Sequence, residues 1–189
     1  MIRAGVLLAA GASRRFGPQD KLLAQLQGTP LVTHAATALA ASDFDVLIGV
    51  VRSAHVAQHL PGFDIVQPPE PDPKQSDSLR AGITRARDLG AGRVTVLLAD
   101  MPFVTAALVD DVTHACTDAR PAAATDGNRP MPPVCFPAVY LDALMRLKGD
   151  RGAASLVTDA VLVPATTGML VDIDTPETLM AMARSPNDA

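Results

Sequence analysis

"LLAAGASRRFGPQDK", residues Leu7–Lys21, carries an apolar run into a glycine and then into Arg14, Arg15 and Lys21. A buried strand that opens directly into positive charge has two readings: the loop binds an anion, or it is a solvated turn. Gly11, Ser13, Arg15, Gly17 and Lys21 spread donors along the loop. Glycine lets backbone N–H groups approach phosphate oxygens, arginine makes forked contacts and lysine supplies a point charge. The spacing matches neither the dinucleotide pattern GxGxxG nor the phosphate loop GxxxxGK[ST].

Outward from this stretch, apolar runs alternate with helical periodicity. Ala4–Ala9, Asp45–Val51, the segment "FDIVQ" and Arg93–Ala99 read as strands. Pro30–Ala41, Ser78–Leu89 and a segment from Thr105 to about Asp118 read as helices, with Ser53 capping a short helix between. Short apolar stretches follow ("PPVCF", "AVLVPA", "GMLVDI"), and "DTPE" opens a last helix. Continuously apolar strands separated by helices predict a mainly parallel sheet covered on both faces, with ligands beyond the carboxyl ends of the strands. The expected class is α/β, a single Rossmann-like three-layer domain over residues 1–184 with a disordered tail at 185–189. The proline-rich "QPPEPDPKQ" is a loop inside that domain.

Composition narrows the partners. The chain has 189 residues, a net charge of −4, 48% hydrophobic residues and no tryptophan. That length suits one domain with a sizeable core built from aliphatic side chains. Mild acidity argues against nucleic acid or an anionic membrane as the main partner, which makes the basic loop a local feature. No apolar run reaches the roughly 18 residues of a membrane span, and Gly11 interrupts the first run too early for a leader. Cys116 and Cys135 lack metal or redox spacing and read as reduced thiols, so a cytoplasmic location is expected. His55 and His59 lie four apart without a third ligand and read as a solvated helix face.

Carboxylates supply the second half of the chemistry. "VLLADMPFV" ends a buried strand on Asp100, where a carboxylate beside a basic loop is a natural magnesium ligand; a plain turn aspartate before proline is the alternative. "LVDIDTPETL" sets Asp172 and Asp174 two apart, on one side of an extended segment. Asp174 with Glu177 fits a capping box, so Asp172 is favoured as the second metal carboxylate, with the choice between them open. "GDRGA", Gly149, Asp150, Arg151, Gly152 and Ala153, puts an arginine between glycines at a helix start, suited to an acceptor's phosphate; Asp150 as an ordinary cap is the alternative. Ser78 opens a helix and is a candidate for a base or ribose. Arg80, Arg85 and Arg87 read as a charged helix face.

The set "LLAAGASRRFGPQDKLL", "GTPL", "SDSLRAGI", "LLADMPF", "GDRGA" and "DIDTPE", in this order and spacing from Val6 to about Met182, resembles the molybdopterin nucleotidyltransferases, most closely their cytidylyltransferase branch. The resemblance implies a glycosyltransferase-A-like domain and magnesium-dependent transfer of CMP from CTP to molybdopterin phosphate, releasing pyrophosphate. Guanylylation of the same cofactor, cytidylylation of another phosphorylated molecule and a non-catalytic carrier are the competing readings. Within that resemblance Leu8, Ala9, Ala10, Gly11, Ser13, Arg15, Lys21, Ser78 and Asp100 bind the nucleotide, with Arg15, Lys21 and Asp100 catalytic. Gly149–Gly152 and Asp174 serve the acceptor, and Asp100 and Asp172 the metal. "LAAG" at Leu8–Gly11 and "TPL" at Thr29–Leu31 go with cytidine nucleotides in the family. The implied partners are CTP, molybdopterin and a molybdoenzyme or its chaperone. "PKQSDSLRAG" departs from the family pattern by placing Asp77 between the serines.

Overall fold

A computed structural model describes residues 1–11, 16–17, 20–70, 72–149 and 153–183. Ser13, Arg15, Asp150, Arg151, Gly152 and the tail at 185–189 lie outside the described residues.

The first strand, β1 (Ile2–Ala9), ends at the glycine loop and leads to a 3-10 turn at Lys21–Leu23. A short hairpin of β2 (Gln25–Leu26) and β3 (Thr29–Pro30) delivers the chain to α1 (Leu31–Ala40). Its turn is Gln27–Gly28, both at positive φ, as a tight two-residue hairpin turn requires. Then come β4 (Val46–Val51), α2 (Ala54–Ala57), β5 (Asp64–Val66), α3 (Gln75–Asp88), β6 (Ala91–Leu98) and α4 (Ala106–Ala115). The remainder is β7 (Ala122–Thr125), β8 (Pro130–Pro137), α5 (Leu141–Met145), β9 (Val161–Pro164) and α6 (Pro176–Ala183). Ser53 caps α2 through the His55 N–H, and Thr105 caps α4 through the Leu108 N–H.

The seven-stranded sheet has the order β5-β4-β1-β6-β8-β7-β9. β4, β1 and β6 pair in parallel, as do β7 and β9, whereas β8 runs antiparallel to both of its neighbours. This is the expected single α/β domain with a mainly parallel sheet. The one reversed strand has a positional consequence: its first half, including Pro132, lies at the carboxyl ends of β1 and β6. Val134 stands opposite Val96. Prolines inside an interior strand cannot donate to the ladder, and the β7–β8 register slips at Ala123/Ala124.

Two apolar layers flank the sheet. One joins Leu7, Leu22, Leu26 and Leu31 to α1 and α4 through Val32, Leu39, Leu108 and Val109. The other joins Ala10, Val94, Val96, Val134 and Phe136 to α3 and α5 through Leu79, Ile83 and Leu144. The sequence pattern placed the parallel strands correctly and missed β7, whose "AAAT" has little strand propensity and forms only because all four residues are buried. "GMLVDI", by contrast, is not a strand.

Close packing of α3 on the sheet depends on Gly82. A Cβ there would stand 2.7 Å from Val6 Cγ1 and 3.0 Å from Val50 Cγ2, both branched strand side chains with little room to yield. Gly82→Ala is therefore expected to destabilise the fold by about 1–3 kcal/mol despite its gain in helix propensity. Urea unfolding of the two proteins measures the difference, and an unchanged or higher midpoint contradicts the packing argument.

Candidate active site

Lys21 is where the opening stretch turns into geometry. Asp20 caps the 3-10 turn by accepting from the Leu22 N–H at 3.1 Å, and Leu22 is buried in the core. With that neighbour anchored, the Lys21 side chain points to the carboxyl edge of the sheet. Its ammonium donates to Asp100 Oδ2 at 2.6 Å and to Asp174 Oδ1 at 2.8 Å. The Lys21 side chain is 10% exposed, and those of Asp100 and Asp174 are 19% and 28% exposed. Burial works against the ammonium, yet the two carboxylates outweigh it and raise the Lys21 pKa above its ordinary value.

Asp100 follows the end of β6, and Asp174 precedes α6. A backbone bond holds them together: the Ile173 N–H donates to the Asp100 carbonyl at 2.8 Å, with the Ile173 side chain fully buried. The segment is not a β-strand, so the alternation expected of an extended chain does not hold. Asp174 reaches the lysine while Asp172 is exposed. Of the two candidate carboxylates, it is Asp174 that the structure brings to Lys21 and Asp100. The expected cap is corrected, because Thr175 Oγ1, and not Asp174, accepts from the Thr178 N–H at 3.2 Å. A threonine in "DTPE" was an available cap; the pull of Lys21 on Asp174 was not visible from spacing.

Asp100 Oδ1 is buried with no hydrogen-bond partner among the described residues. A buried carboxylate oxygen left this way is costly unless something else engages it. Gly11, two residues past β1, is exposed, and a Cβ there would meet nothing within 4 Å among the described residues. Ala9 and Ala10 are buried, and Leu8 is half-buried.

Leu8 forms one wall of a cleft of about 360 Å³, open mouth included. Leu98, Val134 and Phe136 line its sheet side, and Gln75, Leu79 and Ala153 its helix side. Ser78, one residue from Leu79, is buried. Thr29–Leu31 stand elsewhere: Leu31 packs with Leu22 and Leu26 in the opposite apolar layer. The structure therefore brings Leu8, Ala10 and Ser78 to one side and does not bring "TPL" to them.

The first turn of α3 is differently built from the expectation. The helix starts three residues earlier, at Gln75, and Asp77 caps it by accepting from the Lys74 N–H at 2.9 Å. Asp77 N–H and Ser78 N–H both donate to the Lys74 carbonyl, and Ser76 N–H donates to the Gly149 carbonyl at 3.2 Å. Arg80 is half-buried and engaged: one Nη donates to Asp77 at 2.6 Å and the other to the Leu147 carbonyl at 2.6 Å. An aspartate three residues past the capping position, Lys74, was the sequence signal for the cap; nothing local pointed to Leu147.

Comparison with known proteins agrees with this geometry. Residues 5–164 match the MobA-like NTP transferase domain. The purine catabolism protein PucB of Bacillus subtilis is 30% identical, the alignment covering 92% of each chain. The molybdenum cofactor guanylyltransferase of Shewanella piezotolerans is 30% identical over 78% of this chain and 72% of its own. Rv0371c of Mycobacterium tuberculosis has the same fold, with a TM-score of 0.82 at 24% identity over 98% of this chain and 100% of that one. It has also been solved in complex with manganese. With that domain spanning residues 5–164 of 189, the chain belongs to the MobA-like family and is a nucleotidyltransferase.

Proposed function

We propose that this enzyme transfers CMP from CTP to the phosphate of molybdopterin. The observation that carries the reading is the buried Asp100–Lys21–Asp174 group at the carboxyl ends of the strands. In the transfer, an oxygen of the acceptor's phosphate monoester forms a bond to the α-phosphorus. The bond from that phosphorus to the β-phosphate bridging oxygen breaks, and pyrophosphate leaves. The acceptor oxygen is already anionic near neutral pH, so no residue has to remove a proton. The histidines fit this: His34 is engaged with the Leu26 carbonyl at 3.1 Å, and His55 and His114 are exposed on helices.

Asp100 and Asp174 are the residues that would hold a divalent cation, magnesium in this reading. The orphaned Asp100 Oδ1 supports that assignment, and Asp174 takes the place first given to Asp172. When bound, the cation supplies charge neutralisation at the triphosphate. Lys21 then has a second task. Its ammonium lies between the same two carboxylates, and in this reading it supplies, with Arg15, positive charge for the phosphates. Catalysis by this chain is positioning and electrostatics. Leu8 and the layer of Ala10 put the base on the cleft side of the sheet, and the acceptor is assigned to Gly149 and the residues that follow it.

Nucleotide choice rests on Ala10. Its side chain is 1% exposed and sits in the apolar layer with Leu79 and Val96, so its methyl group fills volume beneath the base-binding side. A second reading is guanylylation of the same acceptor, favoured by the name of the Shewanella relative.

Three outcomes test these assignments. Asp100→Asn is expected to lower kcat by about 10²-fold or more, and to lower the melting temperature as well, because it takes one of the two carboxylates from the ammonium of Lys21. Pyrophosphate release by a folded Asp100→Asn protein at near-normal rate contradicts the metal role.

Lys21→Met is expected to raise the KM for CTP and to cost about 3 kcal/mol of stability, the low end for a broken buried pair because Asp174 is partly exposed. The sign of its pH dependence follows from the raised folded pKa. The stabilisation is fully present below 10.5, the ordinary lysine value, and is lost as pH rises through the higher folded value. The stability gap between Lys21→Met and wild type should thus be flat from neutral pH to 10.5 and shrink above it. A gap that closes already below 10.5 contradicts the paired ammonium.

The third outcome is the ratio of kcat/KM for CTP and GTP with molybdopterin as acceptor. It should favour CTP by about tenfold or more, since a base that leaves a buried polar group unpaired costs about 1–3 kcal/mol. Ala10→Gly should narrow the ratio. A GTP preference in the wild-type protein selects the guanylyl reading.

A further inference from the structure

Cys116 and Cys135 are assigned no part in the transfer, and both are buried and free. Their spacing in sequence carries no redox pattern, yet the fold closes the gap between them. α4 starts beyond the carboxyl end of β6 and returns along the sheet, so Cys116, its C-terminal cap, stands away from the Asp100 edge. A buried hydroxyl pair fastens that end of the helix: Thr113 Oγ1 lies 2.9 Å from Thr95 Oγ1 on β6. Thr95 is the register partner of Cys135 on β8, and Cys116 comes one helical turn after Thr113 on the same face. The other register partner of Cys135 is Ala122, the first residue of β7. The Ala122 N–H donates to the Cys116 sulfur, and so does the Cys135 thiol. The two sulfurs therefore meet under the end of α4, held from one side by Thr95 and from the other by Ala122.

The two thiols are not equivalent. The hydrogen bond from Cys135 holds the Cys116 thiol below its ordinary range, against the cost of burial and with help from the Arg93 charge. Cys135 donates that bond and is fully buried, and both pull its thiol upward. Cys116 is also the nearer to solvent. Residues 117–120 that follow it are all exposed, and its Sγ lies 3.6 Å from the Arg120 carbonyl in that turn. Arg93 reaches the same turn, donating to Asp118 Oδ1 at 3.0 Å.

We propose that Cys116 and Cys135 form an intramolecular disulfide when the protein meets a peroxide, with Cys116 reacting first and Cys135 resolving it. The Cys116 sulfur, as thiolate, attacks one peroxide oxygen: an S–O bond forms, the O–O bond breaks, and the departing hydroxide becomes water with the proton that Cys116 gave up. The Cys135 sulfur then attacks the Cys116 sulfur. The S–S bond forms, the S–O bond breaks, and the second hydroxide leaves as water with the Cys135 proton. Two thiols and one hydrogen peroxide give one disulfide and two waters, the sulfurs being oxidised and the peroxide reduced. The bond joins the end of α4 to β8 and leaves Lys21, Asp100 and Asp174 untouched. It is independent of which nucleotide or acceptor the enzyme uses.

The test treats the folded wild-type protein with a small excess of hydrogen peroxide, alkylates any remaining thiol under denaturing conditions, and reads the masses of the peptides bearing the cysteines. The chain has only two cysteines, so the pairing is unambiguous. The expected product is a monomer whose two cysteine peptides are joined, unalkylated, and released by dithiothreitol. The bridged protein should melt at a higher temperature than the same sample after dithiothreitol, because the bond constrains the unfolded chain and asks no movement of the folded one. Dithiothreitol leaves methionine sulfoxide in place, so methionine oxidation drops out of that comparison. Cys135→Ser should carry added oxygen on Cys116, whereas Cys116→Ser should keep Cys135 as a thiol. A disulfide-linked dimer, oxygen adducts without a bridge, two unreacted thiols, a bridged monomer that melts lower, or the reverse pattern in the serine variants overturns the proposal. If a serine variant does not fold, the wild-type peptides and melting temperatures decide alone.

Discussion

One buried cation holds the working edge of this molecule together. Lys21 lies 79 residues from Asp100 and 153 from Asp174, and its ammonium draws all three segments to one point. Placing a lysine side chain at 10% exposure carries a desolvation cost, which only close opposite charge offsets. Among the described residues, two carboxylates meet this one ammonium. That pairing explains why the segment before α6 belongs with the end of β6: without Ile173 seated in the core and bonded to the Asp100 carbonyl, Asp174 would have no reason to face the lysine.

The sheet assigns different tasks to its two covered faces. On the α1 and α4 side, Leu22, Leu26 and Leu31 anchor the 3-10 turn that aims Lys21. On the α3 and α5 side, the same sheet end opens into the cleft. β8 makes the second face possible. A parallel strand in its place would bring its carboxyl end to this edge and begin at the far one. The reversed strand instead starts here, with Pro132 and Val134 beside Leu98 and Val96. The charged group and the apolar cleft therefore share one edge of β1 and β6 without sharing a core.

Sequence patterns carry some of this and not the rest, for physical reasons. β1 and β6 were legible because strands buried on both faces are continuously apolar, and Asp100 was legible because it ends such a run. Ser53 and Thr105 were legible because capping is local. Three features were not. β7 is set by burial between β8 and β9, so its alanines carry no pattern of their own. The choice between Asp172 and Asp174 depends on a lysine 153 residues distant from Asp174, beyond any local rule. Thr29–Leu31 adjoin the site in sequence, yet the hairpin turn at Gln27–Gly28 sends them into the other apolar layer.

The start of α3 shows how the two halves of the edge divide the charge. A helix N-terminus is often an anion seat, because its first N–H groups have no helical partner. In α3 those groups are already engaged: Ser76 with the Gly149 carbonyl, and Asp77 and Ser78 with the Lys74 carbonyl. The Asp77 carboxylate adds negative charge at the same end, bonded to the Lys74 N–H and the Arg80 guanidinium. A phosphate brought there would meet that carboxylate, while the N–H groups of Ser76, Asp77 and Ser78 are already spent on the protein's own chain.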